Sequence, residues 1–160
     1  MAGVSPIVTQ TGSESGAAML GTATDMRDIS QNEKKSPSVR VLVVDDEPLI
    51  RWSVVETLIE RGCEVVEAPD GRTAVSAIDG KQAFDVVLLD FRLPDSNDLT
   101  LLSTIRRQSP RSQVILMTAY GTPEVTKGAL DLGAYRVVSK PFEMNDMAAL
   151  VAQARAARPN

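Results

Sequence analysis

The chain has 160 residues, 43% of them apolar, a formal net charge of −4 and a pI near 4.9, which suits one domain with a sizeable core and offers no diffuse basic field for nucleic acid. No apolar run approaches the roughly 18 residues of a membrane span, the N-terminus lacks the basic and apolar regions of a secretory signal, and the single cysteine, Cys63, suits a reducing cytoplasm. Histidine is absent, so any chemistry must rest on carboxylates, hydroxyls and lysines.

Residues 1–38 are rich in Gly, Ser, Thr and Ala without sustained periodicity, the composition of a disordered N-terminal arm. From Val39 onward, short apolar runs alternate with helical patterns. "VRVLVV" (39–44) predicts a first strand. Pro48, suited to a first helical position, then opens a helix with Trp52, Val55, Leu58 and Ile59 on one stripe and Gly62 at its C-terminal cap. "EVVEA" (64–68) is the second strand, followed by a helix from Asp70-Gly71, and "FDVVLL" (84–89) is the third, followed by a helix from about Asp98. "QVILM" (113–117) leads to a helix capped by Thr122 with Pro123 at N1 and stopped at Gly133, and "YRVVS" (135–139) leads to a last helix from about Glu143. Near-continuous Val, Ile and Leu runs are expected where a strand is covered on both faces, so the pattern predicts a parallel sheet between two helical layers.

In an open parallel sheet, functional groups collect beyond the carboxyl ends of the strands, where strand order reverses. The first strand ends in Asp45 and Asp46, the third in Asp90, the fourth in Thr118 and the fifth in Ser139 and Lys140. Singly, each has an ordinary reading: acids before Pro48 favour a helix N-terminus, Asp90 suits a turn, Thr118 can end a strand, and Lys140 can reach solvent. Together, three acids on one edge repel one another unless a cation or a function offsets the repulsion. Hard oxygen donors with no His or Cys nearby point to Mg²⁺ rather than zinc. Magnesium beside a carboxylate, a lysine and a hydroxyl suggests phosphoryl transfer with the carboxylate as nucleophile.

Four ordered motifs, "VLVVDDEP", "DVVLLDFRLPD", "VILMTAYG" and "VVSKPF", resemble the receiver domain of bacterial two-component response regulators, with wording similar to receivers of NtrC-type regulators. The resemblance covers the folded part of the chain, taken as residues 39–157. It implies a doubly wound, flavodoxin-like (βα)₅ sandwich with strand order 2-1-3-4-5. It also implies that Asp90 is the phosphoacceptor, taking a phosphoryl group from a sensor histidine kinase or a histidine phosphotransfer protein. Asp45, Asp46 and Asp90, with the backbone carbonyl of Arg92, match the Mg²⁺ ligands, Thr118 the switch hydroxyl, and Lys140 the lysine that pairs with the acyl phosphate. Lys140-Pro141 matches a bond that is commonly cis. Such a protein is a phosphoacceptor that assists its own phosphorylation and dephosphorylation rather than an enzyme with a separate substrate; a phosphorylation-dependent homodimer is left open.

The chain departs from the family pattern at two positions. Val137 stands where most members carry an aromatic switch residue, and Tyr135, two residues earlier on what the strand period makes the same face, is a partial substitute. Asp98 replaces a usual glycine, a position where Asp can cap the third helix. The few residues after Phe142 suffice for a last helix and show no output module, so a stand-alone receiver is expected, working through protein contacts and not through nucleic acid. A haloacid dehalogenase-like phosphohydrolase requires a second Asp two residues after the nucleophile, where Glu47 follows Asp45, and a flavodoxin-like nucleotide binder requires a Gly-rich loop after the first strand. The alternative that stays open is a phosphorylation-independent, receiver-like binding module.

Overall fold

The computed structural model describes residues 36–159; the arm expected over residues 1–38 lies outside the described residues except for Ser36, Pro37 and Ser38. Five strands form one sheet: β1 (Arg40–Val44), β2 (Glu64–Ala68), β3 (Val86–Asp90), β4 (Gln113–Thr118) and β5 (Arg136–Ser139). They alternate with α1 (Pro48–Glu60), α2 (Gly71–Ile78), α3 (Thr100–Gln108), α4 (Pro123–Asp131) and α5 (Met144–Ala156). Every pairing is parallel and the order is β2-β1-β3-β4-β5, as expected.

Alternation along the strands explains the two cores. Leu42, Val44, Val87, Leu89, Val114 and Leu116 point to one face, where α3 contributes Leu102 and Ile105 and α4 contributes Ala129. Val41, Val43, Val86, Leu88, Ile115 and Met117 point to the other, against Val54, Val55 and Leu58 of α1 and Met147 and Val151 of α5. Because successive Cβ atoms alternate, a strand buried on both sides must be apolar at every position, and Val41 to Val44 is fully buried throughout. Right-handed crossovers place α1 on one face and, since the chain then moves the opposite way across the sheet, α2, α3 and α4 on the other. The two directions part between β1 and β3.

Local chemistry sets the element ends. Asp70 caps α2 by accepting from the Thr73 amide (2.8 Å), and Thr122 caps α4 through the Val125 amide (3.2 Å). Gly62 and Gly133 stop α1 and α4 at φ 85° and 99°, a region costly for any residue with a Cβ. A second cap on α2 comes from far along the chain: Asp95 accepts from the amides of Gly71 (2.8 Å) and Arg72 (3.0 Å). Asp98 accepts from the Thr100 amide at 2.9 Å, so α3 begins at Thr100, two residues beyond Asp98.

Three local expectations change. β3 starts at Val86 rather than Phe84, because the Phe84 carbonyl accepts from Ser112 Oγ (2.7 Å) and the Asp85 carboxylate from the Arg40 amide (2.8 Å). On α1, Val54, Val55 and Leu58 are buried, whereas Trp52 and Ile59 are exposed at 59% and 51%. Residues sharing part of a helical stripe need not share a neighbour, and the sheet covers only one side of α1. Tyr135 precedes β5, outside the pleat, and packs on the α1/α5 core with Val138, whereas Val137 faces the opposite core. The expected shared face of Tyr135 and Val137 is therefore corrected: the period of two holds only inside a strand. The Lys140-Pro141 bond is cis.

Ser112 is buried and contacts Ser109 Oγ as well as the Phe84 carbonyl. Substituting Ser112→Ala would strand that carbonyl, so urea unfolding is expected to show a loss of about 1–3 kcal/mol with an unchanged m-value. A loss indistinguishable from zero would remove Ser112 as the tie between the β3 and β4 approaches.

Candidate functional site: an acidic cluster around a buried lysine

The carboxyl edge of the sheet brings its polar groups together between β1 and β3. Asp45 is wholly buried, Asp90 is 6% exposed and Thr118 2% exposed, and Asp46 and Glu47 lie at the surface. Carboxylate oxygens of Asp45, Asp46, Glu47 and Asp90 all lie within 4.8 Å of one another. Into this group reaches Lys140, whose Nζ donates to Asp45 Oδ2 at 2.8 Å, Asp90 Oδ2 at 3.1 Å and Glu47 Oε1 at 3.2 Å. Three carboxylates thus share one ammonium, with a fourth, Asp46, close to them.

Backbone contacts fix the geometry. Asp45 Oδ1 accepts from the Glu47 amide (2.8 Å), and the Asp45 carbonyl from Arg51 on α1 (2.6 Å). Asp90 Oδ1 accepts from the Arg92 amide (3.2 Å), turning the chain as it leaves β3. Thr118 sits one residue past Met117, the register partner of Asp90, and its carbonyl accepts from the Lys140 amide (2.9 Å), so β4 spaces the lysine from the phosphoacceptor candidate. The Thr118 hydroxyl accepts from the Tyr120 amide (3.2 Å). The exposed Tyr120 ring carries the Arg92 guanidinium at 5.1 Å, joining the loops after β3 and β4. A Cβ on Gly121 would stand 3.0 Å from Thr118 Cγ2, so the glycine lets the loop pass close to the threonine. An open cleft of about 350 Å³ is lined by Asp46, Glu47, Asp90, Arg92, Ala119, Tyr120 and Lys140.

The charges are mutually adjusted. Burial pushes the Asp90 carboxyl up to about 6; Lys140 opposes this and the Asp45 charge adds to it. Burial pulls the Lys140 ammonium down, but hydrogen bonding and attraction from Asp45, then Asp90, outweigh that and raise it. All donors are hard oxygens in excess of the one ammonium, a set that fits a small divalent cation such as Mg²⁺ and no soft metal.

Of the residues singled out in the sequence, Asp45, Asp46, Asp90, Thr118 and Lys140 converge, and Arg92 borders the cleft. Tyr135 and Val137 lie in β5's approach and body and are not among the cleft residues. Glu47 was not among the assigned site residues, yet it holds Lys140 from the surface side. Its signal in the sequence was its place directly after the acid pair.

Comparison with known proteins bears on the same region. A family model described as "Response regulator receiver domain" matches residues 41–152. Regulatory protein AtoC of Escherichia coli K12 is 36% identical over 115 residues, covering 72% of this chain and 25% of AtoC. The DNA-binding transcriptional regulator NtrC of Salmonella typhimurium is 34% identical over 114 residues, covering 71% of this chain and 24% of NtrC. The chain thus spans about a quarter of the length of these curated relatives. Among solved structures, the receiver domain of NtrX from Brucella abortus superposes with a TM-score of 0.67 at 34% identity, covering 73% of this chain and 98% of that one.

The raised Asp90 pKa fixes the sign of a pH effect. A carboxyl that binds its proton more tightly when folded costs stability once ionised, so in chelator this cost is full above about pH 6 and disappears toward the ordinary value of 3.8. Asp90→Asn is therefore expected to melt several degrees higher than the parent at pH 8 in EDTA, with the gap closing as pH falls below 6. A variant that melts lower at pH 8 would show that Lys140 more than compensates the buried charge.

Proposed function

The chain belongs to the response regulator receiver family, and on that footing we propose that Asp90 accepts a phosphoryl group from a phosphohistidine on a sensor histidine kinase or histidine phosphotransfer protein. The receiver unit in this reading is residues 39–157. The observation that carries it is the Lys140 ammonium between two buried carboxylates, at 2.8 Å from Asp45 and 3.1 Å from Asp90. Asp90 is the buried acid that opens on the cleft, and near neutral pH it is largely ionised and able to attack phosphorus.

In this mechanism an Asp90 oxygen forms the new P–O bond as the P–N bond of the donor breaks, its electrons staying on the imidazole. Asp45 and Asp46, with Asp90 and the Arg92 carbonyl, would hold Mg²⁺, which supplies positive charge to the transferring oxygens. Lys140, positioned by Asp45 and Glu47, would supply a second positive charge. Because the Glu47 carboxylate is surface-exposed, Lys140 can leave it for a phosphoryl oxygen while keeping Asp45. The exposed Leu49 and Trp52 of α1, the helix that follows the acid pair, offer the donor an apolar surface.

The product adds about two negative charges and new acceptor oxygens at one point. Thr118 accepts from the Tyr120 amide but has its own O–H to give, and donating it to the phosphoryl group would draw the "TAYGTPE" loop inward. That differential contact shifts the loop and α4 between two arrangements, altering protein contacts on α4, β5 and α5. With Val137 in place of an aromatic and Tyr135 on the opposite face, no ring in β5 follows Thr118, so the readout rests on the loop itself. Contacts of this kind can include a second copy of the chain.

Intact-protein mass spectrometry after incubation with acetyl phosphate is expected to show a single Mg²⁺-dependent phosphoryl adduct that is absent in Asp90→Asn. A folded protein that gains no adduct would instead favour a binding module that works without phosphorylation.

A further inference from the structure

The amino-terminal edge of the sheet carries the inverse charge problem. Asp85, just ahead of β3, is buried and accepts from the Arg40 amide; the Arg158 guanidinium donates to its Oδ1, and Arg155 Nε stands 3.3 Å from the same oxygen. Arg158 Nε also donates to the Arg111 carbonyl at 3.0 Å. Arg111, Arg155 and Arg158, with Pro159, line a cavity of about 200 Å³ between the end of α5 and the turn before β4. Among the described residues, Asp85 is the only carboxylate in ion-pair contact with any of the three.

Two independent features are left unbalanced. Two guanidiniums, of Arg155 and Arg158, share one carboxylate and the third, of Arg111, has no acidic partner among the described residues, so the cavity is walled by positive charge in excess. Arg155 Nε–H is buried and, despite its closeness to Asp85, finds no acceptor at hydrogen-bonding angle. Like charges held together, and a buried donor without an acceptor, each cost stability. A tetrahedral anion with several oxygens answers the charge excess, since planar guanidinium forks pair with such oxygens in bidentate fashion. The cavity is smaller than the roughly 300–1,000 Å³ of typical small-molecule sites.

We infer that Arg111, Arg155 and Arg158 form a binding site for a phosphate-class oxyanion, supplied as free inorganic phosphate or as the terminal phosphate of a nucleotide. Arg111 and Arg155 donate to the anion, and Asp85 with Arg158 holds Arg155 in position. The site is separate from the acidic cleft, being at the other end of every strand. Occupancy would fasten the last turn of α5 to the approaches of β3 and β4.

The test uses the full chain in EDTA, titrated with sodium phosphate against sodium chloride at equal ionic strength and followed by thermal melting and amide NMR shifts. Phosphate is expected to raise the melting temperature beyond chloride, with shifts centred on Arg111, Ser112 and Arg155–Arg158. Arg111→Gln and Arg155→Gln should each weaken binding by roughly tenfold, and Asp90→Asn should leave it unchanged. Tighter binding of ADP than of phosphate would identify a nucleotide as the source, and equal or weaker binding the free ion. The inference is overturned if chloride matches phosphate, if the shifts map to Asp46, Asp90 and Lys140, or if Arg111→Gln binds as the parent does.

Discussion

Everything at the carboxyl edge depends on one ammonium group shared between two buried carboxylates. Asp45 and Asp90 end adjacent strands and are brought close by the β1–β3 pairing, and their charges could not both persist there alone. Lys140 supplies the missing positive charge from the end of β5, tied to Thr118 through its amide. Removing Lys140 would leave two buried carboxylates facing each other without a counter-charge, the costliest kind of loss in a small domain. The same arrangement is incomplete as chemistry, because negative charge still exceeds positive. A site held together by too few cations is one prepared to receive another.

The fold explains why the acids meet where they do. Crossovers run one way from β1 to β2 and the other way from β2 through β5, so the loops after β1 and β3 diverge to opposite faces and leave a crevice between them. The sheet's alternating faces feed two separate cores, and both are aliphatic enough to hold the strand ends rigidly in register. Asp90 on such a strand end is positioned by the whole sheet, while the loop after Thr118 lies beyond the ladder. Strand-borne carboxylate and loop are neighbours by topology.

Much of this was legible in the residues. Continuous Val, Ile and Leu runs marked doubly covered strands, Pro48, Thr122, Pro123, Gly62 and Gly133 marked helix ends, and the acids, hydroxyl and lysine fell at strand termini where topology collects function. What escaped was set by contacts distant in sequence. The packing of Tyr135 turned on where β5 begins, the partition of α1 into buried Val54 and exposed Trp52 turned on the angle at which the helix meets the sheet, and the pairing of Asp85 with arginines at the chain's end spans more than half of the domain. Glu47 was visible as a charge but not as a partner, since nothing in the local pattern says that a lysine 93 residues away will reach it.

The cap that Asp95 places on α2 has a consequence for how such domains diverge. The loop that leaves Asp90 also closes the first turn of a helix 24 residues earlier, with Gly71 approached so closely that a Cβ there would stand 3.1 Å from the carboxylate. Loop and helix start are therefore coupled: a graft that brings a foreign loop without an acid at that place, or an insertion between Asp90 and Asp95, would free the Gly71 and Arg72 amides and leave α2 with the Asp70 cap alone. Lineages that lengthen this loop should carry a compensating cap at the head of α2, so the two segments are expected to change together or not at all.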